Sequence, residues 1–405
     1  MEILCPFCLN KFKNSKAKLI CRDTANKCKR ASTREFCDYW GYSEGNRAAL
    51  RPHIYDGGWS LFGGPPKLKN CPICGDDKPH YVCPHCHNKL PYDMVEYGTD
   101  IIPIIGGPSV GKTIFTVALI NQLNKYGYKF KLVSTIQSLF GNASEEFSEM
   151  EETLFKEHQL LGKTAARSDG KCIPWFIRVE SKRRNSRPTY LIFYDIAGEQ
   201  FVDAKTMEHM ARPIYHASGA IVLLDTLEIP MVQRVRKQAG IIDQERHFSI
   251  EKTFNALVEL ASENKKQKVM NDMPIAFTFS KVDAVYTFRS SLGALGEAVD
   301  LRQNSNFTST RYGLNNYRQA EFDAFLREVD QMDAGFRVAL RECELEQLIG
   351  NNNWSEDNIR IFGISSLGQE PEVDGSIRTE QITPYRVLDP LIWILHKLEK
   401  LDIQK

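Results

Sequence analysis

Between residues 101 and 364 the chain carries seven short apolar runs, rich in β-branched and aromatic side chains. They fall at 101–105, 129–133, 173–180, 189–195, 219–225, 274–280 and 359–364, and each is the length of a strand. The intervals carry helical periodicity. Ile114, Val117, Ala118, Ile120 and Leu123 share one helical face, and Leu391, Ile394, Leu395 and Leu398 share another within Val387 to Leu401. This last segment lacks a basic polar face and reads as packing on a sheet, not as a membrane anchor. A third helix is expected from Gln319 to Leu348, where Glu, Arg and Leu interleave. The alternation predicts an α/β fold with a mostly parallel sheet, helices on both faces, and a ligand at the carboxyl ends of the strands. Two stretches exceed ordinary connections: 134–170, expected as a partly helical insertion, and 286–350, expected as a helical insertion facing a partner.

Residues 1–95 do not follow this pattern. They hold 15 Lys and Arg against 9 Asp and Glu, a net charge of +6, while the rest of the 405-residue chain nets −5. Nine of the eleven cysteines also lie before residue 90. Overall, 42% hydrophobic and 25% charged residues exclude a disordered or fibrous chain. No apolar run approaches the roughly 18 residues of a membrane span, and the first residues lack a basic, then apolar, leader. The expected location is therefore the cytoplasm, where clustered Cys-x-x-Cys pairs point to metal and not to disulfides.

Cys71/Cys74 and Cys83/Cys86 sit close together as CPICG…VCPHCH, four thiolates expected to hold one Zn²⁺ as a short ribbon. Cys5/Cys8 with Cys21 and Cys28 form the expected second site. Cys37, His80, His85 and His87 are further candidate ligands, and Cys5/Cys8 sharing an ion with Cys71/Cys74 is an alternative pairing. A region this short draws much of its folding free energy from metal, and all-sulfur zinc sites are structural. Eight basic residues against one acidic from Lys11 to Arg30 make nucleic acid a candidate partner, with a solvated charged face as the plain alternative.

Beyond this region, Gly106-Gly107-Pro108-Ser109-Val110-Gly111-Lys112-Thr113 matches the phosphate-loop pattern G-x-x-x-x-G-K-[ST] between a strand and a helix. The glycines let backbone N–H groups curl around phosphate at a helix N-terminus. Lys112 is expected on the β- and γ-phosphates and Thr113 on Mg²⁺. Asp195 ends the 189–195 strand, where such proteins keep a carboxylate for Mg²⁺, and Gly198 completes D-x-x-G. Ser280-Lys281-Val282-Asp283 resembles the guanine-specificity motif N/T-K-x-D, in which the carboxylate accepts two hydrogen bonds that adenine cannot offer. Ser365-Ser366-Leu367-Gly368 resembles the last guanine-contacting motif, whose backbone N–H groups reach the base oxygen.

Four motifs in this order resemble the Ras-like P-loop GTPases of the translation-factor-related (TRAFAC) class, over residues 100–400. More narrowly, the zinc-ribbon start with D-I-A-G-E, S-K-V-D and S-S-L-G looks like the bacterial double-GTPase family, which implies a GTP-hydrolysing switch in a multi-component conflict or defence system, with protein partners. Three positions depart from the pattern. Ser280 replaces the Asn that ties the base loop to the phosphate loop, which implies a looser site. Glu199 occupies the register of the water-orienting Gln, with Gln200 one residue late, which implies slow hydrolysis. Thr164 is the candidate switch threonine ahead of the 173–180 strand. The division is thus a zinc-binding region at 1–95 and a GTPase domain at 96–405. The competing readings are a nucleic-acid-binding regulator with an accessory nucleotide domain, and a P-loop ATPase.

Overall fold

The computed structural model describes residues 1–43, 45–60, 63–98, 100–107, 109–130, 132–137, 143–162, 174–181, 188–194, 217–241, 250, 273–299, 319–343, 345, 355–372, 376–377 and 382–403. The cysteine-rich region is built from very short elements. Strands β1 (Glu2–Leu4) and β2 (Lys11–Lys13) pair around the first cysteine knuckle. Strands β3 (Lys18–Ile20), β4 (Arg30–Ala31), the helix α1 (Arg34–Trp40), β5 (Arg51–Pro52), β6 (Ile54–Tyr55), β7 (His80–Val82), β8 (Lys89–Leu90) and the helix α2 (Tyr92–Tyr97) follow. A four-stranded sheet of order β6-β3-β7-β8 forms its centre.

A seven-stranded sheet occupies the remainder, formed by β9 (Asp100–Gly106), β10 (Leu132–Gln137), β11 (Pro174–Ser181), β12 (Thr189–Tyr194), β13 (Ala220–Asp225), β14 (Ile275–Ser280) and β15 (Ile359–Gly363). Its order is β10-β11-β12-β9-β13-β14-β15. The five strands from β12 to β15 run parallel, while β11 is antiparallel to both its neighbours. β13 and β14 are buried at every position, which is why they read as unbroken apolar runs and not as alternations. The helices are α3 (Lys112–Tyr126), α4 (Ala143–Phe155), α5 (Pro230–Gln238), α6 (Gly293–Ala298), α7 (Gln319–Glu342) and α8 (Asp389–Lys397).

Two expectations change here. The 129–133 run is not a strand at its start, because Gly127–Phe130 closes a tight turn that sinks Phe130 into the core, and β10 begins only at Leu132. The expected strand is thus displaced along the chain: β10 is an edge strand that runs on into the first residues of the 134–170 stretch expected as an insertion. The second change concerns 319–348. α7 turns its apolar face inward onto the sheet. Phe322, Phe325, Val329, Met332, Phe336 and Leu340 are all buried in the main core, and Phe336 stacks on Phe279 of β14 at 4.9 Å. Asp333 accepts the Ile361 N–H of β15 at 2.8 Å. α7 is a structural helix of the sheet domain.

The cysteine-rich region covers one face of the sheet at β9, β11 and β12. Side chains on those strands alternate between two cores. Ile177, Val179 and Leu191 point to the helical side, whereas Ile101, Phe176, Tyr190 and Ile192 join Ile3, Phe7, Phe12, Leu19 and Tyr81. Phe7 lies 5.6 Å from Phe176. Asp93 of α2 accepts hydrogen bonds from Arg178 Nε at 2.5 Å and from the Tyr190 hydroxyl at 3.1 Å. The surface between the two parts is thus apolar at its centre with a polar clasp beside it. Replacing Phe7 with Ala should cost about 3 kcal/mol of stability, the usual loss for emptying a buried aromatic site. Urea unfolding of the full chain measures it; unchanged unfolding of the sheet domain would mean the contact bears no load.

Candidate functional site

The phosphate loop leaves β9 at Gly106 and enters α3 at Lys112. A Cβ at Gly106 would lie 3.0 Å from both the Cβ and the carbonyl oxygen of Leu223, so β13 can pass only where no side chain exists. Ser109 and Gly111 take left-handed backbone angles, φ +57° and +87°. That conformation turns successive N–H groups to one side, the concavity that receives phosphate oxygens. Lys112 is buried, and its ammonium donates to the carbonyls of Gly106 at 3.0 Å and Gly107 at 2.7 Å. A single positive charge is thereby fixed against the loop at the N-terminus of α3.

The base loop begins at the end of β14, on the same edge of the sheet. The Ser280 hydroxyl donates to the Val110 carbonyl at 2.8 Å and also lies 3.1 Å from the Leu224 carbonyl. Ser280 therefore makes the tie that its shorter side chain was expected to lose. β14 and the phosphate loop sit close enough for a serine to span the gap. Lys281, in a left-handed conformation, donates to the Ser109 carbonyl at 2.7 Å and to Asp225 Oδ2 at 2.6 Å. Asp225 is buried at the end of β13 and also accepts the Leu227 N–H.

Asp283 follows at the turn. Burial pushes its carboxyl above the ordinary carboxylate value, against a lowering hydrogen bond with Ser365. The last loop is stitched beside it: Val282 N–H donates to Ile364, and Ser365 exchanges backbone bonds with Tyr385. Ser365 is buried and its hydroxyl accepts the Gly368 N–H at 2.7 Å, while Ser366 is half-buried and Leu367 buried. Gly368 has φ +81°, and a Cβ there would meet the Thr383 carbonyl at 2.3 Å, so this turn requires glycine.

Arg236 of α5 ties both loops from below. It is 1% exposed, donates to the Ala284 carbonyl at 2.8 Å, and grips the Glu370 carboxylate through both terminal nitrogens at 2.7 and 3.1 Å. The residues on either side of the base position are thus held by one planar fork. Asp225, Arg236 and Glu370 are the site residues that the sequence reading missed. Asp225 had a signal, since it ends an apolar strand as Asp195 does. Arg236 had a weaker one, standing four residues after Val232 on the buried helix face. Pro108, Thr164, Asp195, Gly198, Glu199 and Gln200 lie outside the described residues. Thr113 is half-buried at the second position of α3.

The eight expected zinc ligands come together, but in another partition. Cys5 and Cys8 meet Cys83 and Cys86, with sulfurs 3.6 Å (Cys5–Cys86) and 3.8 Å (Cys8–Cys83) apart. Cys21 and Cys28 meet Cys71 and Cys74, at 3.4 Å (Cys21–Cys74) and 3.7 Å (Cys28–Cys71). In each group all four sulfurs lie within 4.8 Å of one another. Four thiolates at about 2.3 Å from a tetrahedral Zn²⁺ would stand about 3.8 Å apart, so both groups fit that ion. Cys71/Cys74 and Cys83/Cys86 do not share a site because β7 separates them, and its pairing with β3 carries each pair to a different N-terminal partner.

Three of the knuckles repeat one geometry. The N–H groups of Leu9, Gly75 and His87 return to the carbonyls of Cys5, Cys71 and Cys83, each with positive φ. Sulfur also accepts from Asp23 N–H (Cys21), His85 N–H (Cys83) and Asn88 Nδ2 (Cys86), the bonds expected of thiolate. Cys37 sits in α1 outside both groups, as do His80, His85 and His87. His87 instead places Nδ1 2.9 Å from the Thr33 hydroxyl.

No family model and no curated protein matches this chain. Among solved structures it is similar to a nucleolar GTP-binding protein 1 from Plasmodium falciparum (12% identity, TM-score 0.28, covering 74% of this chain and 87% of that one). It is similar also to translation elongation factor SelB from Methanococcus maripaludis in complex with a GTP analogue (11%, TM-score 0.27, 75% and 35%), and to Sup35 complexed with GDP (8%, TM-score 0.22, 67% and 38%). The chain therefore spans well under half the length of the last two. At these values the site's own geometry has to carry the functional reading.

Two outcomes test this description. The zinc-loaded chain should hold two ions. Cys71→Ser combined with Cys83→Ser should abolish tight binding of both, since each group loses a ligand, whereas the contiguous partition would leave one ion on Cys5, Cys8, Cys21 and Cys28; zinc released to a chromophoric chelator counts them. Separately, Glu370→Gln should weaken binding of a nucleotide offered to this site about 5- to 10-fold, as the ion pair with Arg236 becomes a hydrogen bond from a cation to a neutral amide. Titration of the variant against the parent chain measures this.

Proposed function

We propose that this chain is a guanine-nucleotide-binding switch that hydrolyses GTP. The observation that carries the reading is the double tie between the two loops: Ser280 to Val110 and Lys281 to Ser109, with Asp283 two residues on. A phosphate site and a base-reading carboxylate are thus held at one fixed separation by the strand end itself. Asp283 accepts from guanine N1–H and N2–H₂, the Lys281 stem covers the base plane, and the N–H groups of Ser366 and Leu367 meet the base oxygen, that of Ser365 being engaged by the Tyr385 carbonyl. Adenine offers the carboxylate no donors in that place, and a site built around such donors discriminates strongly.

At the other end, backbone N–H groups from Gly106 to Thr113, including that of Pro108's neighbour Ser109, cradle the phosphates, and Lys112 neutralises the β- and γ-oxygens. Thr113 and Asp195 would hold Mg²⁺, which would supply positive charge against the phosphate oxygens. Gly198 and Thr164 sense the γ-phosphate, and Glu199 or Gln200 orients the attacking water. With a carboxylate in the usual glutamine register, hydrolysis by the chain alone is slow. The two four-cysteine groups would each hold a Zn²⁺ and so tie the N-terminal region together. No helix among the described residues is long and apolar enough to cross a membrane. The resemblance to double-GTPases supports a cytoplasmic multi-component conflict or defence system as the setting, with a protein partner reading the nucleotide state.

Calorimetric titration with GDP, a GTP analogue and ATP in Mg²⁺ tests the reading. Guanine nucleotides should bind, ATP should not, and Asp283→Ala should lose them by at least 100-fold. Equal ATP affinity would reassign the chain as an ATPase. The raised Asp283 value adds a pH dependence. A carboxyl raised in the folded chain lends stability at low pH and loses that contribution as pH rises through its folded value. Guanine binding needs the ionised form and should weaken as pH falls through the same value. The empty chain should therefore gain stability, relative to Asp283→Asn, over the range in which affinity falls.

A further inference from the structure

We infer that the cysteine-rich region carries a binding surface for single-stranded nucleic acid, centred on Trp59 and flanked by Lys67 and Lys69. The inference is independent of the guanine-nucleotide reading and concerns a different part of the molecule.

Trp59 is 94% exposed. Leaving so large an apolar side chain in water forgoes about 2 kcal/mol or more of burial, so its placement asks for a reason. The loop that bears it is held shut at its neck. Gly58 and Lys67 exchange two backbone hydrogen bonds at 2.8 and 2.9 Å. Gly57 is sterically required at this neck, and Gly58 lies against both lysine side chains. A Cβ on Gly57 would lie 2.6 Å from Pro66 Cβ, and one on Gly58 would lie 2.9 Å from Lys69 Cε and 3.2 Å from Lys67 Cβ. Both lysines therefore run directly beside the residue that precedes Trp59. The returning arm is fixed in turn. The Tyr55 hydroxyl donates to the Lys69 carbonyl at 2.8 Å, and the Tyr81 hydroxyl lies against the Pro66 carbonyl and the Glu96 carboxylate. The indole is thus presented from a pinned neck, at low ordering cost to any ligand.

The chemistry of the surroundings selects the ligand. Lys67 and Lys69 are exposed, as are Arg22, Lys27, Lys29 and Lys78 on the same region, and no acidic residue occurs from Gly57 to Gly75. Asp76 is engaged by the N–H groups of Thr24 and Lys78 and by the Thr24 hydroxyl. Each four-thiolate zinc site carries a formal charge of −2, so the loaded region falls from +6 to +2 and its positive field is local. Some of these cations answer the thiolates. Trp59 cannot serve that purpose. An exposed indole on a neck lined by two exposed lysines offers a face for an unpaired base and, close by along the chain, charges for phosphates, the combination that binds single strands with little sequence preference. A duplex keeps its bases stacked on one another and cannot use the indole. An acidic polypeptide can use the lysines but has no bases to stack.

Fluorescence anisotropy with the zinc-loaded full chain tests the inference, using labelled oligouridylate and oligothymidylate of roughly 15 nucleotides, the span of a single-strand site. Binding should appear at low salt and weaken steeply as salt rises. Trp59→Ala should lower affinity about 10-fold, Trp59→Phe should restore most of it, and Lys67→Glu with Lys69→Glu should lower both affinity and the salt slope. Trp59 and both lysines are exposed, so these variants fold, which zinc content and thermal unfolding confirm. Absence of binding at low salt overturns the inference. So does binding that Trp59→Ala leaves unchanged, or equal binding of polyglutamate or duplex, any of which would make the lysines a general polyanion surface and leave the indole to a protein partner.

Discussion

A nucleotide spans two recognition problems, a charged tail and a flat base, and a protein that reads both must fix the distance between them. In the nucleotide-binding function proposed above, that distance is fixed by one buried hydroxyl. Ser280, at the last position of β14, holds the Val110 carbonyl inside the phosphate loop. Everything else in the site stands in relation to that bond. Lys281 continues outward to Ser109 and Asp225, and Asp283 turns toward the loop closed by Ser365 and Tyr385. Arg236 then fixes the far side through Ala284 and Glu370. Buried charges such as Arg236 and Asp225 are stable only where partners satisfy them, and breaking one half of such a pair costs several kcal/mol. The site is therefore rigid on its base side.

The cysteine-rich region is attached on the other half of the sheet, at the strands β11 and β12. It rests on β11 and β12 through Phe176, Tyr190 and Ile192, and Asp93 clasps Arg178 and Tyr190. Its own strands are two or three residues long, too short to stand alone. Two cysteine groups and one borrowed sheet face supply the cohesion. Cysteine groups and sheet face thus frame the same small core.

Much of this was legible in the sequence. Six of the seven apolar runs correspond closely to strands, and the phosphate loop and S-K-V-D sit where strand ends must present them. The seventh run slipped because Phe130 was read as strand when it serves the core from a turn. The burial of α7 was written in Phe322, Phe325, Val329, Met332 and Phe336, a continuous helical face, but the length of the 286–350 segment suggested an insertion instead. Cysteine spacing identified the knuckles, yet could not say which knuckles come together, because that is decided by the pairing of β3, which leads into Cys21, with β7, which leads into Cys83. The tie made by Ser280 was misjudged for a related reason. Side-chain length is visible in sequence, and the approach of two loops is not.

The two cysteine groups are nested and do not cross. Cys28 and Cys71, 43 positions apart, lie inside the clasp that joins Cys8 to Cys83, 75 positions apart. A nested pair can close from the inside outward, like successive buttons on one flap. Once the inner group is joined, the outer one has only two short arms to bring together, and each halving of a loop saves about 0.6 kcal/mol of closure entropy. On a growing chain the last ligand, Cys86, emerges before β9 begins at Asp100. The first body to take shape would then be the metal-clasped one, with Phe7 already facing outward as a template on which β11 and β12 later settle.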